Sequence, residues 1–259
     1  MNYDYAYFKQ QVLSMTGIDL NAYKEVQMKR RIDTLISRHN LSGYGAFISN
    51  LKSDESLLEE FVSYLTINVS EFFRNPEQWS FLDQTVIPEL ISKFGKRLKI
   101  WSAACSTGDE PYSLVMTLSK HVPLADIQIT ATDIDKHILS QAKNGIYSAK
   151  SIASVPEEFR QKYFKEFGNN SFQISNDIKS RVEFREHNLL KDPYLKEQHL
   201  ILCRNVLIYF TEETKEEIFG KFNQSLTTGG NLFLGSTEQM LNYKQKGYER
   251  KSSFFFQKV

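Results

Sequence analysis

Residues 98–114 read LKIWSAACSTGDEPYSL, and this stretch decides the fold. Five residues of strand-like character, Leu98 to Ser102, run into the small residues Ala103, Ala104, Cys105, Ser106, Thr107 and Gly108, and then into a helix opened by Asp109, Glu110 and Pro111. The pattern predicts a strand, a tight loop and a helix. Small side chains let backbone N–H groups come close to a ligand. Gly108 can take a left-handed conformation, and Pro111 suits a first helical turn, where its missing donor has no partner to lose. Such a turn suits a nucleotide-like ligand, although one glycine after a strand also fits an ordinary strand-to-helix connection. A Walker-type phosphate loop is excluded, because Gly108 is followed by Asp109 and Glu110 where that loop needs lysine and a hydroxyl residue. Two carboxylates beside the loop repel phosphates. A cationic or hydroxyl-rich ligand fits better, and S-adenosylmethionine, with its sulfonium, amino group and ribose diol, is of that kind.

The 259 residues are long enough for one large α/β domain and a smaller one. The net charge of +1 gives no global basicity of the kind that nucleic-acid binding needs. No apolar run reaches transmembrane length and the opening MNYDYAYFKQ is not signal-like, so a soluble, cytoplasmic protein without membrane insertion is expected. Cys105 and Cys203 stand 98 positions apart without C-x-x-C spacing, which argues against a zinc site or a disulfide framework. No metal is expected, and both thiols read as small buried residues near strand ends.

From Tyr3 to about Ile67 the periodicity is helical, with Gly17, Gly43 and Gly45 as punctuation, and predicts an all-helical N-terminal domain over 1–67 with four or so short helices. Its second helix carries Lys24, Lys29, Arg30, Arg31 and Arg38 against Glu25 and Asp33, a local excess of positive charge. Residues 66–75, TINVSEFFRN, interleave Asn68, Ser70, Glu71 and Arg74 with Ile67, Val69, Phe72 and Phe73. One face of that stretch can be buried while the polar set converges on a ligand, or Ser70 can cap a helix. Residues 68–97 then form a linker and a connecting helix running from Pro76 to about Phe94.

The C-terminal part, 98–259, alternates strand and helix, which predicts a doubly wound, mostly parallel sheet. Residues 127–133, IQITATD, read as its second strand. Asp133 at the end of that strand is placed to accept hydrogen bonds from ribose hydroxyls, 25 residues after Gly108. Asp135 is the expected N-cap of the following helix. Residues 156–167 look helical, and 171–184 look like a β-hairpin with its turn at Asn176–Asp177. That hairpin either pairs with a docked peptide or closes the domain. The apolar run 200–203 is a buried parallel strand ending at Arg204 and Asn205, where ligand contacts gather. Thr211 opens a helix that Gly229-Gly230 closes, and residues 231–234 and 254–259 supply an antiparallel pair of last strands.

In that order, the helical N-domain, TINVSEFFRN, WSAACSTGDEPYS, ATDID, HNLL, CRNVLIYF and GSTEQ resemble the chemotaxis receptor methyltransferases of the CheR type. The resemblance covers nearly the whole chain. It implies S-adenosylmethionine-dependent methylation of glutamate side chains on bacterial chemoreceptors. The implied architecture is a helical domain followed by a class I methyltransferase domain with a small antiparallel β subdomain. The cofactor contacts it implies fall on Asn68, Ser70, Arg74, Glu110, Asp133, Asn188, Leu189, Arg204 and Asn205. Ser70 stands where many members have threonine, and Asp109 replaces the first of two glutamates.

A glutamate carboxylate, with a pKa near 4.3, is ionised at pH 7, so the transfer needs positioning and no general base. Arg74 and Tyr209 are the candidates for orienting the methyl acceptor, and Lys29, Arg30 and Arg31 for docking the acidic helical bundle of a receptor. The expected product is S-adenosylhomocysteine and the expected assembly a monomer recruited to membrane receptor arrays. Rival readings are a cofactor-binding sensor or scaffold without catalysis and a nucleic-acid methyltransferase. The latter would be expected to carry Asn/Asp-Pro-Pro-aromatic after its fourth strand, where this chain has Asn205-Val206-Leu207-Ile208-Tyr209.

Overall fold

The computed structural model describes residues 4–259, so Tyr3 and the first two residues of the expected helical domain lie outside the described residues. The chain divides into two compact units, residues 1–68 with 209–216, and residues 69–208 with 217–259.

The helical unit contains α1 (Tyr5–Thr16), α2 (Glu25–Arg38), α3 (Tyr44–Ser53) and α4 (Glu55–Thr66). Asp4 caps α1 by accepting from the Tyr7 amide and Asp54 caps α4 by accepting from Leu57, while Gly17 ends α1 in the left-handed region at φ 73°. Phe8, Phe47 and Phe61 form a buried aromatic cluster, with Phe47 and Phe61 edge to face at 5.4 Å. The short segment 209–216 belongs to this unit: the Lys24 amide donates to the Tyr209 carbonyl at 2.9 Å, and Tyr23 and Phe210 form a β-bridge.

The second unit begins with an irregular stretch, 69–75, and a helical rod made of α5 (Pro76–Phe81), a π-helical turn and α6 (Ile87–Phe94). Then come β1 (Ile100–Ala103), α7 (Asp109–Leu118), β2 (Ile129–Asp133), α8 (Lys136–Asn144), β3 (Ile146–Ser148), α9 (Glu157–Tyr163), β4 (Phe164–Glu166), β5 (Ser171–Ile174), α10 (Asn176–Lys179) and β6 (Val182–Glu186). The chain closes with β7 (Gln198–Cys203), α11 (Glu212–Ser225), β8 (Leu226–Leu234), β9 (Tyr248–Arg250) and β10 (Phe255–Lys258).

The main sheet has the order β6-β2-β1-β7-β8-β10-β9, parallel from β6 to β8 and antiparallel at β10 and β9. A second sheet, β3-β5-β4, is antiparallel. Every residue of β1 and β7 except His199 is buried, as expected of central strands covered on both faces. Succession runs outward from β1 to β2 and β6 on one side and through β7 and β8 on the other. A ligand crevice therefore opens at the carboxyl ends of β1 and β7.

Three expectations need correction. Residues 171–184 are not a hairpin: Ser171–Ile174 pairs with β3 and β4, residues 176–179 form a helical turn, and β6 joins the main sheet beside β2. Residues 156–167 are helical only to Tyr163, after which Phe164–Glu166 is a strand. Gly229 and Gly230 do not stop a helix; α11 ends at Ser225 and both glycines lie within β8, where the register with β7 shifts. A side chain at Gly230 would press on the carbonyls of Gln198, Thr227 and His199, all within 3.1 Å, so close strand approach explains that glycine.

Candidate active site

The loop after β1 is held in left-handed turns at Ala104 (φ 63°), Ser106 (φ 49°) and Gly108 (φ 87°). Two of these are not glycines, and such backbone persists only where the surroundings over-determine it. A Cβ on Gly108 would lie 3.0 Å from the Ala142 side chain and 3.2 Å from Tyr112, so this glycine is required both by φ and by close packing on α8.

Asp133 fixes the loop. Its Oδ2 accepts from the Ser106 amide at 2.9 Å and its Oδ1 from the Asp135 amide at 3.1 Å. Two backbone donors leave about half of a carboxylate's lone-pair capacity for hydroxyl donors. The Ser106 hydroxyl is buried without a hydrogen-bond partner among the described residues. Burial pushes the Asp133 carboxyl above its ordinary range, opposed by the Asp135, Ser106 and Ile134 amides. Asp135 caps α8 as expected, accepting from the His137 and Ile138 amides.

Glu110, in the first turn of α7, accepts from the Ser102 hydroxyl at 2.8 Å and lies 3.5 Å from the Arg204 guanidinium. Burial raises its carboxyl and Arg204 opposes the rise. Asp109, also buried, accepts from the Thr107 and Ser70 hydroxyls. The Ser70 of TINVSEFFRN therefore does not cap a helix; it reaches the start of α7. The polar members of that stretch stand on a strained backbone, with Phe73 at φ 50° and Asn75 at φ 63°. Its rings hold it down: Phe72 packs edge to face on Tyr147 and Phe164, and Phe73 stacks on Phe159. The Ser113 hydroxyl accepts from the Phe73 amide at 3.1 Å. Rings fully removed from water contribute about 2–3 kcal/mol each, enough to offset two strained residues at roughly 1–3 kcal/mol each.

Arg204 bonds within the protein. Its side chain is 2% exposed, and its Nη2 donates to the Arg74 carbonyl at 2.9 Å, Asn75 Oδ1 at 3.2 Å and Gln78 Oε1 at 3.0 Å, with Nη1 toward Glu110. Its plane lies over Phe233 at 4.5 Å. Its two terminal nitrogens bond to protein atoms while Nε is buried without a partner among the described residues, so the side chain holds the segment that carries Arg74. The Arg74 guanidinium, half-buried, forms no hydrogen bond or ion pair among the described residues.

Asn205 follows at φ 60°. On the β6 side, the His187 amide donates to the Asp133 carbonyl at 2.9 Å, which brings residues 187–189 beside the end of β2. The Asn188 side chain accepts from the Leu190 amide at 2.9 Å, and Leu189 is buried with its carbonyl accepting from Tyr194. Thus Ser70, Arg74, Glu110, Asp133, Asn188, Leu189 and Asn205 surround the carboxyl ends of β1, β2, β6 and β7. Asn68 and Tyr209 belong to the helical unit, Asn68 donating to the Thr66 hydroxyl at 2.9 Å. Cys105 and Cys203 are buried and free, with thiols pushed well upward by burial, so neither serves as a nucleophile.

This donor set fits S-adenosylmethionine. Carboxylates at Asp133 and Glu110 suit a diol and positive charge, the orphaned Ser106 hydroxyl offers one more polar contact, and the glycine cradle admits backbone approach. The residues missed in the sequence are Ser102, Gln78 and Glu238. Glu238 lies in GSTEQ, a motif whose Gly-x-x-Glu spacing after a strand was the available signal.

On the α2 side of the helical unit, Lys29 and Arg30 are exposed along a shallow groove also lined by Val26 and Asp33. Arg31 is turned inward: its guanidinium donates to the Tyr64 carbonyl and lies 4.4 Å from the centre of the Tyr64 ring.

Residues 3–66 match the family described as CheR methyltransferase, all-alpha domain, and residues 68–255 the CheR methyltransferase, SAM binding domain. The chain is 44% identical over 256 residues to a chemotaxis protein methyltransferase of Listeria innocua, covering 99% of this chain and 97% of that protein. It is 36% identical to chemotaxis protein methyltransferase 1 of Pseudomonas aeruginosa, covering 93% and 92% of the two chains.

Proposed function

The chain belongs to the CheR methyltransferase family, and on that premise we propose that it transfers a methyl group from S-adenosylmethionine to glutamate carboxylates of bacterial chemoreceptors. The observation that carries the reading is the pair of buried carboxylates, Asp133 and Glu110, flanking a loop of left-handed small residues at the switch point of the sheet. In this reading Asp133 accepts from the ribose hydroxyls, Glu110, Asn188, Leu189 and Asn205 complete the pocket with Ser70, and Asn68 is a further candidate contact.

When bound, S-adenosylmethionine supplies an electrophilic methyl on a sulfonium; the new bond forms to a carboxylate oxygen while the carbon–sulfur pair returns to sulfur, giving a methyl ester and the thioether S-adenosylhomocysteine. Arg74 orients the acceptor carboxylate by a charge-assisted hydrogen bond, weak enough to leave an oxygen nucleophilic. Tyr209 supplies a hydroxyl to the same group. The transfer needs a near-attack distance of about 3–3.5 Å and little competing water.

The exposed cations Lys29 and Arg30 dock the acidic face of the receptor's helical bundle. Arg31 contributes less, because its guanidinium already bonds within the unit. The enzyme acts as a cytoplasmic monomer recruited to receptor arrays; among the described residues no helix is long and apolar enough to cross a membrane. Incubation with methyl-labelled S-adenosylmethionine and receptor-containing membranes tests the reading. Alkali-labile label on receptor protein is expected. Label on nucleic acid, or stable to alkali, contradicts it, and cofactor binding without transfer favours a sensor.

A further inference from the structure

Glu238 is a buried carboxylate that no part of the proposed mechanism uses. Its Oε1 accepts from the Val206 amide at 2.9 Å and the Leu207 amide at 2.7 Å. Its Oε2 accepts from the Asn205 amide at 2.9 Å and the Gly235 amide at 2.7 Å. Three consecutive amides thus converge on one side chain immediately after β7, at the point where Asn205 takes φ 60°. These amides cannot pair with a strand neighbour once the chain turns left-handed, and buried donors left unpaired are costly.

The fourth partner explains a glycine. A Cβ at Gly235 would lie 2.8 Å from Glu238 Oε2 and 2.9 Å from the Asn205 nitrogen. Only glycine lets the carboxylate reach both strand ends. The contact joins the turn after β7 to the turn after β8, which no backbone pairing links. Burial pushes the Glu238 carboxyl above its ordinary range, and the four amides oppose that rise.

We propose that Glu238 is a positioning residue for cofactor binding: its carboxylate gathers the Asn205, Val206 and Leu207 amides and so fixes the left-handed turn that aims the Asn205 side chain into the crevice. The proposal rests on the reading of Asn205 as a cofactor contact. A glutamine at this place has one acceptor oxygen. In either amide orientation two of the four backbone donors then face an NH2 group, and the turn loses half of its anchor.

Glu238→Gln is tested by calorimetric titration with S-adenosylhomocysteine and by steady-state kinetics. Its Kd and the KM for S-adenosylmethionine rise about tenfold or more, while kcat at saturating cofactor stays within about twofold. A residue that served folding alone would instead lower the melting temperature and the active fraction at unchanged KM. Glu238→Asp keeps the charge and recovers part of the affinity. Should Glu238→Gln not fold, Glu238→Asp is measured in its place, with a smaller rise in the same direction. Asn205→Gly keeps the left-handed backbone and deletes the side chain; adding Glu238→Gln to it changes Kd less than about twofold, because the positioned group is gone. A Glu238 variant that leaves Kd unchanged while Asn205→Gly weakens it overturns the proposal, as does a double variant whose loss equals the product of the two. If Asn205→Gly alone leaves Kd unchanged, the cofactor reading of Asn205 falls first and the proposal falls with it.

Discussion

The Arg204 guanidinium donates to the Arg74 carbonyl at 2.9 Å across 130 positions of sequence. One buried cation therefore sets the backbone of the residue proposed to orient the acceptor, and at the same time faces Glu110. Arg204→Met fills similar volume but leaves Glu110 and the acceptors at Arg74, Asn75 and Gln78 without their donor. Breaking a buried pair in this way costs about 3–5 kcal/mol, which chemical denaturation detects. Arg204→Lys keeps the charge, reaches fewer of the four acceptors and lowers kcat/KM more than it lowers stability.

Asp133→Ala removes an acceptor for the ribose hydroxyls and two anchors of the loop at Ser106 and Asp135. Affinity for S-adenosylhomocysteine falls by roughly 1.5–3 kcal/mol, the scale of hydrogen bonds to a charged group. Titration calorimetry reads this directly, and an unchanged dissociation constant rejects the assignment.

How much of this was legible in the sequence varies by element. The loop after β1, Asp133 and the cap at Asp135 are written locally, in small residues and in a carboxylate at a strand end. Residues 171–184 misled because Asn176 and Asp177 are turn formers between two strand-like runs. What sends β6 to the main sheet is parallel pairing with β2, a partner some fifty positions away that no local period encodes. Arg204 is visible as a charge ending a strand, but whether it faces ligand or protein depends on residues 74–78. Glu238 was legible only as part of a motif, since its partners lie across two loops.

Tyr209→Phe separates positioning from packing. If the hydroxyl orients the acceptor, kcat falls with cofactor affinity and melting temperature nearly intact. A tyrosine that only packs within the helical unit gives normal turnover per folded molecule.

Replacing Lys29 and Arg30 by alanine raises KM for receptor and flattens the salt dependence of kcat/KM, because electrostatic docking is screened over a Debye length of about 8 Å. Cofactor affinity stays the same. Arg31→Ala behaves differently: it removes the bond to the Tyr64 carbonyl and the ring contact, so thermal stability drops. Equal behaviour of all three sites on a salt titration contradicts this division.

His187 packs edge to face on Trp101 at 5.2 Å, and burial holds its pKa below 6.5. The unfolded chain binds this proton more tightly than the folded one. Its contribution to stability is therefore complete above the unfolded pKa and is lost as pH falls from there through the folded value. His187→Phe flattens the decline in melting temperature between neutrality and about pH 5. Parallel wild-type and variant curves rule the effect out.

In the proposed reaction the acceptor is a glutamate carboxylate. Tandem mass spectrometry of receptor peptides after incubation with S-adenosylmethionine and the enzyme tests it most directly. The expected result is a mass increase of one methylene, localised to glutamate in the cytoplasmic helical bundle, released by mild alkali and absent with Asp133→Ala at limiting cofactor. Methylation localised to lysine, arginine or an amide, or none on receptor at saturating cofactor, would contradict it.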